Sequence, residues 1–143
     1  MRKKNSYSDE KTVNQSNRIF TVRPEQETLT KQGLPYLLGI TGKSCGARGI
    51  SLSMVVIPPG GKAVPHFHKG FETAIYILEG EVETRFGENL SNSVFNKAGD
   101  FLYIPENLPH QPVNLSQTHP VRAIVARTDP NEQESVFEYR FSD

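Results

Sequence analysis

The placement of proline and glycine constrains the fold of this chain more than any other feature of its sequence. Ten prolines and eleven glycines lie mostly between short runs of Val, Ile, Leu, Phe and Tyr. Turn residues at this spacing separate short strands, and no window of ten or more residues sustains the 3.6-residue apolar period of a helix. The pattern therefore predicts an all-β chain. The predicted strands cover residues 18–23, 36–41, 50–57, 73–79, 81–87, 101–104, 110–114, 121–128 and 136–141.

The segment 81–86 indicates how these strands are arranged. Its charged residues alternate with Val82, Thr84 and Phe86, so one face of the strand should be solvated and the other buried. Many short strands of this kind favour a β-sandwich or a closed barrel. A length of 143 residues suits one domain. We expect a single domain over residues 18–143 and a flexible N-terminal arm over residues 1–17, which are polar and offer little to bury.

Charge and hydropathy exclude several classes of partner. Sixteen Lys and Arg balance sixteen Asp and Glu, so there is no basic field to attract a nucleic-acid backbone. The longest apolar run, residues 54–57, is far shorter than the roughly 18 residues of a membrane-spanning helix. The basic N-terminus has no apolar stretch behind it, unlike a signal peptide. We therefore predict a cytoplasmic protein without nucleic-acid or membrane partners.

Three histidines and one glutamate carry the chemical signal. His66 and His68 are two residues apart, and such residues point to the same face of a strand. Glu72 follows across a Gly-containing turn, and His110 would complete the set if its strand lies beside the first. Imidazoles with a carboxylate can bind a divalent transition metal and leave open positions for a ligand. The alternative for a bare His-x-His is a pair of surface residues.

The frame around these residues resembles the cupin superfamily. The first cupin motif, G-x5-H-x-H-x3,4-E-x6-G, is followed by Gly60, His66, His68, Glu72 and Gly80 with one extra residue before the last glycine.

The second cupin motif, G-x5-P-x-G-x2-H-x3-N, is matched by Gly99, Pro105, His110 and Asn114. The resemblance implies a double-stranded β-helix, the jelly-roll β-barrel of the cupins. It also implies that His66, His68, Glu72 and His110 bind a divalent metal ion, which could be Mn, Fe, Zn or Ni.

Two departures from the motifs affect the expected site. Seven residues instead of six separate Glu72 from Gly80, so counting back from Gly80 places Thr73 on the ligand face. A β-bulge or an extra turn residue near Gly70 would return Glu72 to the site; otherwise three histidines bind the metal and Glu72 lies behind them. Asn107 replaces a motif glycine, and asparagine tolerates a positive φ.

The resemblance implies a metal-dependent enzyme that acts on a small oxygen-rich substrate, in the manner of the mannose-6-phosphate-isomerase-like cupins. Alternatives are a metal-dependent dioxygenase and a non-catalytic cupin that binds or senses a small molecule. No catalytic residue beyond the metal ligands is assigned. The sequence does not require an inward-facing arginine, and Arg85, Arg122 and Arg127 can all lie on the exterior. A homodimer is expected, since jelly rolls expose sheet edges that need cover.

Overall fold

Two antiparallel sheets make up the fold, as a computed structural model describes it for residues 18–131, 133 and 135–143. The predicted arm, residues 1–17, lies outside the described residues. The strands are β1 (Thr28–Leu29), β2 (Pro35–Ile40), β3 (Ser51–Ile57), β4 (His66–His68), β5 (Thr73–Glu79), β6 (Glu81–Phe86), β7 (Asn92–Lys97), β8 (Phe101–Ile104), β9 (His110–Asn114), β10 (Val121–Arg127) and β11 (Val136–Glu138). A short helix α1 (Gly42–Cys45) and a 3-10 turn (Glu88–Leu90) interrupt them.

The strand order gives the two sheets their jelly-roll arrangement. One sheet has six strands in the order β1-β2-β3-β10-β5-β8, and the other has five in the order β11-β4-β9-β6-β7. Chain neighbours such as β4 and β5 lie in different sheets, so the chain crosses repeatedly between them. The predicted all-β jelly roll is confirmed. Among the described residues, no helix is long and apolar enough to cross a membrane.

The core lies between the sheets and is dominated by the six-stranded sheet. Alternate residues of β3 and β10 point inward, as their alternating burial shows. This alternation is the period-two pattern of a strand with one buried face. The buried apolar cluster contains Leu34, Tyr36, Val55, Ile57, Ala63, Ile77, Val82, Val121, Ala123 and Val125.

The predicted strands differ from the structure in several places. Strands β1 and β4 lie outside the predicted ranges, and the last strand ends at Glu138 instead of residue 141. Residues 18–23 form no strand, although their apolar alternation resembles one, because the described chain provides no partner strand for them. Conversely, β7 was not predicted, since Asn92 and Asn96 lower its intrinsic strand propensity. Its ladder with β6, from Glu81↔Lys97 to Phe86↔Asn92, supplies the stabilisation that the local sequence lacks.

Two motif residues hold the loops that frame the barrel. Gly80 has φ +90°, and a Cβ there would lie 2.5 Å from the Pro120 carbonyl oxygen, so only glycine fits this hairpin. The buried Asn114 amide donates to the carbonyls of Ile57 (3.1 Å), Pro58 (3.2 Å) and His119 (2.7 Å). The end of β9 is thereby tied to the loops on either side of it.

Candidate metal centre

Three of the predicted ligands meet inside the barrel. His66 and His68 lie on β4, and His110 opens β9 directly opposite His66 in the ladder. All three side chains are buried, and one ring nitrogen from each lies within 4.8 Å of the others. The ring centroids of His66 and His110 are 4.3 Å apart. The i, i+2 spacing on one strand and the cross-strand pair therefore direct three imidazoles at one point.

The hydrogen bonds of two histidines select the tautomer that suits a metal ligand. His66 Nδ1 lies 2.6 Å from the Val64 carbonyl oxygen, and His110 Nδ1 lies 2.8 Å from that of Leu108. A carbonyl oxygen only accepts, so Nδ1 carries the hydrogen in each neutral ring, and Nε2 keeps its lone pair. Both histidines use the carbonyl two residues earlier, so the local backbone sets both tautomers.

His68 supplies the observation that best fits a metal. Both of its ring nitrogens are buried, and neither has a hydrogen-bond partner among the described residues. A buried polar nitrogen without a partner costs roughly 1–3 kcal/mol. A metal ion held at the point where the three rings converge would remove part of that cost.

The electrostatics keep all three rings neutral near pH 7. Burial lowers the pKa of His66 well below its ordinary value and lowers the pKa of His110 to about 4. Burial also strongly lowers the pKa of His68, and the positive charge of Arg127 adds to that effect. Neutral imidazole is the form that binds metal ions, so the rings need no deprotonation before binding.

Glu72 lies outside this cluster. It is exposed, immediately before β5, and its backbone N–H donates to Thr128 Oγ1 at 3.0 Å. The pKa of Tyr103 is raised by desolvation and by the charge and hydrogen bond of the Glu72 carboxylate. The carboxylate therefore lies beside the exposed Tyr103 phenol. Thr73, the next residue, is the one that points into the barrel, as counting back from Gly80 indicates.

The turn between β4 and β5 contains no strand irregularity that would redirect Glu72. Gly70 adopts φ +77°, and its N–H donates to Asn107 Oδ1 at 2.9 Å. Asn107 has φ 64°, as expected for the asparagine that replaces the motif glycine. Its N–H donates to the His68 carbonyl at 3.0 Å, which anchors the end of β4. The register shift in the ladder of β5 with β10 falls at the other end of β5, opposite Arg122 and Ala123 of β10.

Arg127 lies inside the barrel and not on its exterior. Arg127 is 4% exposed and lines the same cavity as His66 and His110. Its Nε donates to Thr73 Oγ1 at 3.0 Å. By contrast, Arg85 and Arg122 form partly exposed ion pairs with Glu83 and Glu79 at 3.2 Å each.

A signal for the inward arginine was present in the sequence. Arg127 continues the phase of Val121, Ala123 and Val125, the inward positions of β10. Alternation therefore predicts an inward side chain at this position. The general tendency of arginine to face solvent points the other way.

The cavity between the sheets is small and mostly apolar. Its volume is about 50 Å³, which corresponds to one or two water molecules at about 30 Å³ each. Its walls are mainly aliphatic, and its polar groups include His66, His110, Thr73 and Arg127. The guanidinium of Arg127 and the imidazoles of His66 and His110 therefore line the same water-poor cavity.

Known proteins share the sequence and the fold of this chain. A family model described as a cupin domain matches residues 53–127. An uncharacterized protein of Methanocaldococcus jannaschii is 34% identical over 59% of this chain, which spans 64% of that protein's length. The structure of an oxalate oxidase superposes with a TM-score of 0.65 at 21% identity, covering 86% of this chain and 64% of the other. A putative sugar phosphate isomerase from Acidithiobacillus ferrooxidans has a TM-score of 0.53 at 24% identity, covering 65% and 58%.

Proposed function

This chain belongs to the cupin domain family, and on that premise we propose that it is a metal-dependent enzyme acting on a small, oxygen-rich, anionic substrate. The observation that carries this proposal is the position of Arg127. Its guanidinium is buried and lines one cavity together with His66 and His110. A metal site alone does not indicate the charge of a substrate, whereas a buried arginine beside it favours an anion.

The metal, which could be Mn, Fe, Zn or Ni, would be held by His66, His68 and His110. Imidazole ligands suit Fe, Zn and Ni, whereas Mn prefers oxygen ligands. When bound, such an ion acts as a Lewis acid that polarises a carbonyl or carboxylate oxygen. Three protein ligands leave positions open for a substrate. His66 and His110 are already oriented by the carbonyls of Val64 and Leu108, so little reorganisation is needed for binding.

Arg127 would bind the anionic group of the substrate. A guanidinium forms paired, charge-assisted hydrogen bonds with carboxylate or phosphate oxygens. Thr73 Oγ1 accepts from Nε at 3.0 Å and thereby orients the guanidinium. The aliphatic walls contributed by β3, β5 and β10 exclude water, and exclusion of water strengthens the attraction between charges.

The size of the cavity favours a substrate of few atoms. A space of about 50 Å³ is much smaller than the roughly 300–1,000 Å³ of typical ligand pockets. A small carboxylate or keto acid, with or without dioxygen, fits this space better than a whole hexose phosphate does. We therefore rank decarboxylation or oxidation of a small carboxylate above sugar-phosphate isomerisation, and dioxygenation of a small chelating substrate remains an alternative.

The test begins with metal analysis of protein purified without a histidine tag, beside a His66→Ala/His110→Ala variant. We expect near-stoichiometric metal in the first and little in the second. The metal-loaded protein is then assayed for turnover of oxalate and small keto acids and for oxygen uptake on diketones and catechols. Hexose phosphates form the comparison set. Turnover of hexose phosphates alone would contradict the small-anion proposal, and absence of metal after reconstitution would remove the enzyme hypothesis.

A second candidate function is a non-catalytic cupin that binds a small anion. The supporting observation is that the described cavity-lining residues include neither a carboxylate nor a lysine that could carry a proton. A rise in melting temperature with oxalate, without product under air or nitrogen, would favour this function.

A further inference from the structure

One polar group at the cavity is buried without a hydrogen-bond partner. Gln32 is 1% exposed and lines the cavity together with His66 and His110. Its Nε2 has no hydrogen-bond partner within the part of the chain that the structure describes. Most buried polar groups in folded proteins have a partner, and a carboxamide nitrogen carries two N–H donors. Gln32 therefore offers the cavity hydrogen bonds that the surrounding protein does not use.

The backbone around Gln32 fixes its position relative to the histidines. Gln32 lies in a tight turn before β2, in which the Gly33 N–H donates to the Thr30 carbonyl at 2.9 Å and Gly33 has φ 82°. The Gln32 carbonyl accepts from the Val64 N–H at 2.7 Å. The Val64 carbonyl is the group that orients His66. The turn that carries Gln32 is therefore joined directly to the segment that leads into β4.

Gln133 determines which end of the Gln32 carboxamide remains available. The Lys31 N–H donates to Gln133 Oε1, and a backbone N–H can only donate. The nitrogen of Gln133 is thus its other end, and this Nε2 donates to Gln32 Oε1 at 3.3 Å. The two ends of a carboxamide are told apart by their partners. Since the oxygen of Gln32 is already used, its nitrogen is the end left for a ligand.

The match to the cupin domain does not account for this donor. The family model covers residues 53–127, which include the three histidines and Arg127. Gln32 and Gln133 lie on either side of that range. The turn before β2 and the segment after β10 therefore add a polar group to a cavity whose other polar residues come from the family's own strands.

The cavity now contains two side chains that donate hydrogen bonds and cannot accept them. These are the Arg127 guanidinium and the Gln32 nitrogen. A ligand with oxygen atoms in two separate groups can accept from both residues. A ligand with one carboxylate and an apolar remainder leaves the Gln32 N–H groups without a partner. A buried donor that is left without a partner lowers the affinity for such a ligand.

We propose that Gln32 is a specificity-determining residue that donates from Nε2 to an oxygen of the ligand, and that Gln133 positions it. This inference rests on the small-anion function proposed above and narrows its substrate class. The cavity then favours a short dicarboxylate or 2-oxo acid, which carries oxygen in two adjacent groups, over a simple monocarboxylate of similar size.

The test uses the metal-loaded full-length chain and isothermal titration with oxalate and with acetate. Acetate has a methyl group where oxalate has its second carboxylate, so the ratio of the two affinities reports on the second group. Gln32→Met keeps the length of the side chain and removes the donor. We expect it to weaken oxalate binding by about 10-fold or more and acetate binding by less than about 2-fold.

Two further variants separate recognition from packing. Gln133→Met should lower the affinity ratio by about 3-fold, because the Gln32 carboxamide is then free to reverse its ends. The matched control is Gln111→Met, since Gln111 is also buried but its Nε2 donates to the Ala63 carbonyl at 2.9 Å. Gln111→Met should lower the free energy of unfolding and leave the affinity ratio unchanged. Gln32→Met should not lower that free energy, because it replaces an unpartnered buried donor by an apolar group.

The outcomes distinguish this inference from the function on which it rests. A fall in the affinity ratio in Gln32→Met, beside an unchanged ratio in Gln111→Met, supports it. An unchanged ratio in Gln32→Met overturns it and leaves the carboxamide as the site of a buried water only. An equal loss of oxalate and acetate binding also overturns it, because a general disturbance of the cavity would produce that result.

Two remaining cases are also decided. If Gln32→Met does not fold, the half-buried Gln133 provides the answer, and an unchanged ratio in Gln133→Met overturns the inference. Wild-type protein that binds oxalate without turnover contradicts the enzyme proposal alone, and the ratio still tests Gln32. Wild-type protein that binds neither anion contradicts both.

Discussion

The two sheets of this protein contribute different chemistry to one interior. The five-stranded sheet supplies all three histidines, from β4 and β9. The six-stranded sheet supplies Arg127 and Thr73, from β10 and β5. The histidines that would bind a metal and the Arg127 guanidinium that would bind an anion thus lie on opposite walls of the same cavity.

The site therefore forms only when the two sheets pack against each other. Neither sheet by itself carries both a metal site and an anion site, so a substrate can meet both only after the two layers have closed on each other. Changes made to one wall should therefore affect one function and spare the other.

The largest effect expected on the histidine wall is a pH-dependent loss of stability in the metal-free protein. The three rings stay neutral in the fold, with the pKa of His110 at about 4, whereas unfolded histidine has a pKa near 6.5. Below pH 6.5 the unfolded state gains protons that the folded state does not, so stability falls as pH falls. Each ring contributes up to about 1.4 kcal/mol per pH unit.

Urea unfolding of chelator-treated protein between about pH 7.5 and pH 4.5 measures this loss. His68→Gln should reduce the slope of stability against pH by about a third, since one of three histidines is removed. His119→Gln is the control because His119 is exposed. Equal slopes in both variants would contradict the assignment of the pH dependence to the metal-binding histidines.

On the opposite wall, Arg127→Leu should weaken substrate handling while leaving the metal in place. Loss of a charge-assisted hydrogen bond costs about 1.5–3 kcal/mol, which corresponds to roughly 10- to 150-fold in kcat/KM. Metal content should equal that of the wild type, because the metal ligands lie on the other sheet. Arg122→Leu, on the same strand but outside the barrel, should be close to neutral. Loss of metal in Arg127→Leu would show that the two walls are not separable.

A smaller effect is expected for Thr73→Val, which removes the acceptor that orients Arg127. The loss of one neutral-to-charged hydrogen bond at 3.0 Å should lower kcat/KM by about 3- to 10-fold, mostly through KM. Thr84→Val is the matched control, because Thr84 lines the same cavity from the five-stranded sheet. If both variants behave alike, the role of Thr73 is packing and not orientation of the guanidinium.

The smallest effect is expected for Glu72→Gln. Its carboxylate lies beside Tyr103 and outside the histidine cluster, so metal affinity should change by less than about twofold, as for exposed charges that make few contacts. Competition with a chromogenic chelator measures that affinity. A loss of tenfold or more would show that the carboxylate turns inward to become a fourth ligand when metal binds.

The sequence predicted those features that depend on local spacing. The strands predicted over residues 50–57 and 121–128 occur as Ser51–Ile57 and Val121–Arg127, each with one buried face. The i, i+2 pair His66 and His68 likewise points inward because a strand has period two. Asn107 keeps a positive φ in the turn, as its tolerance of that conformation indicates.

Other features depended on contacts that are distant in sequence. Strand β7 forms because β6 lies beside it, and residues 18–23 remain outside a strand because no partner is available in the described chain. The position of Glu72 is set by how the turn after β4 is held by Asn107, which is 35 residues away from it in the chain.

The sequence alone determined the fold class and the shared face of His66 and His68, because periodicity acts over a few residues along one strand. The resemblance to the cupins implied that His110 joins them, and the pairing of β4 with β9 brings it there. Only the tertiary structure decided that Arg127 shares one cavity with His66 and His110 and that Glu72 lies outside the histidine cluster. Both depend on the register and layering of strands that are far apart in the chain. Register is set by the sum of many weak pairings across the sheets, and no single segment contains that information.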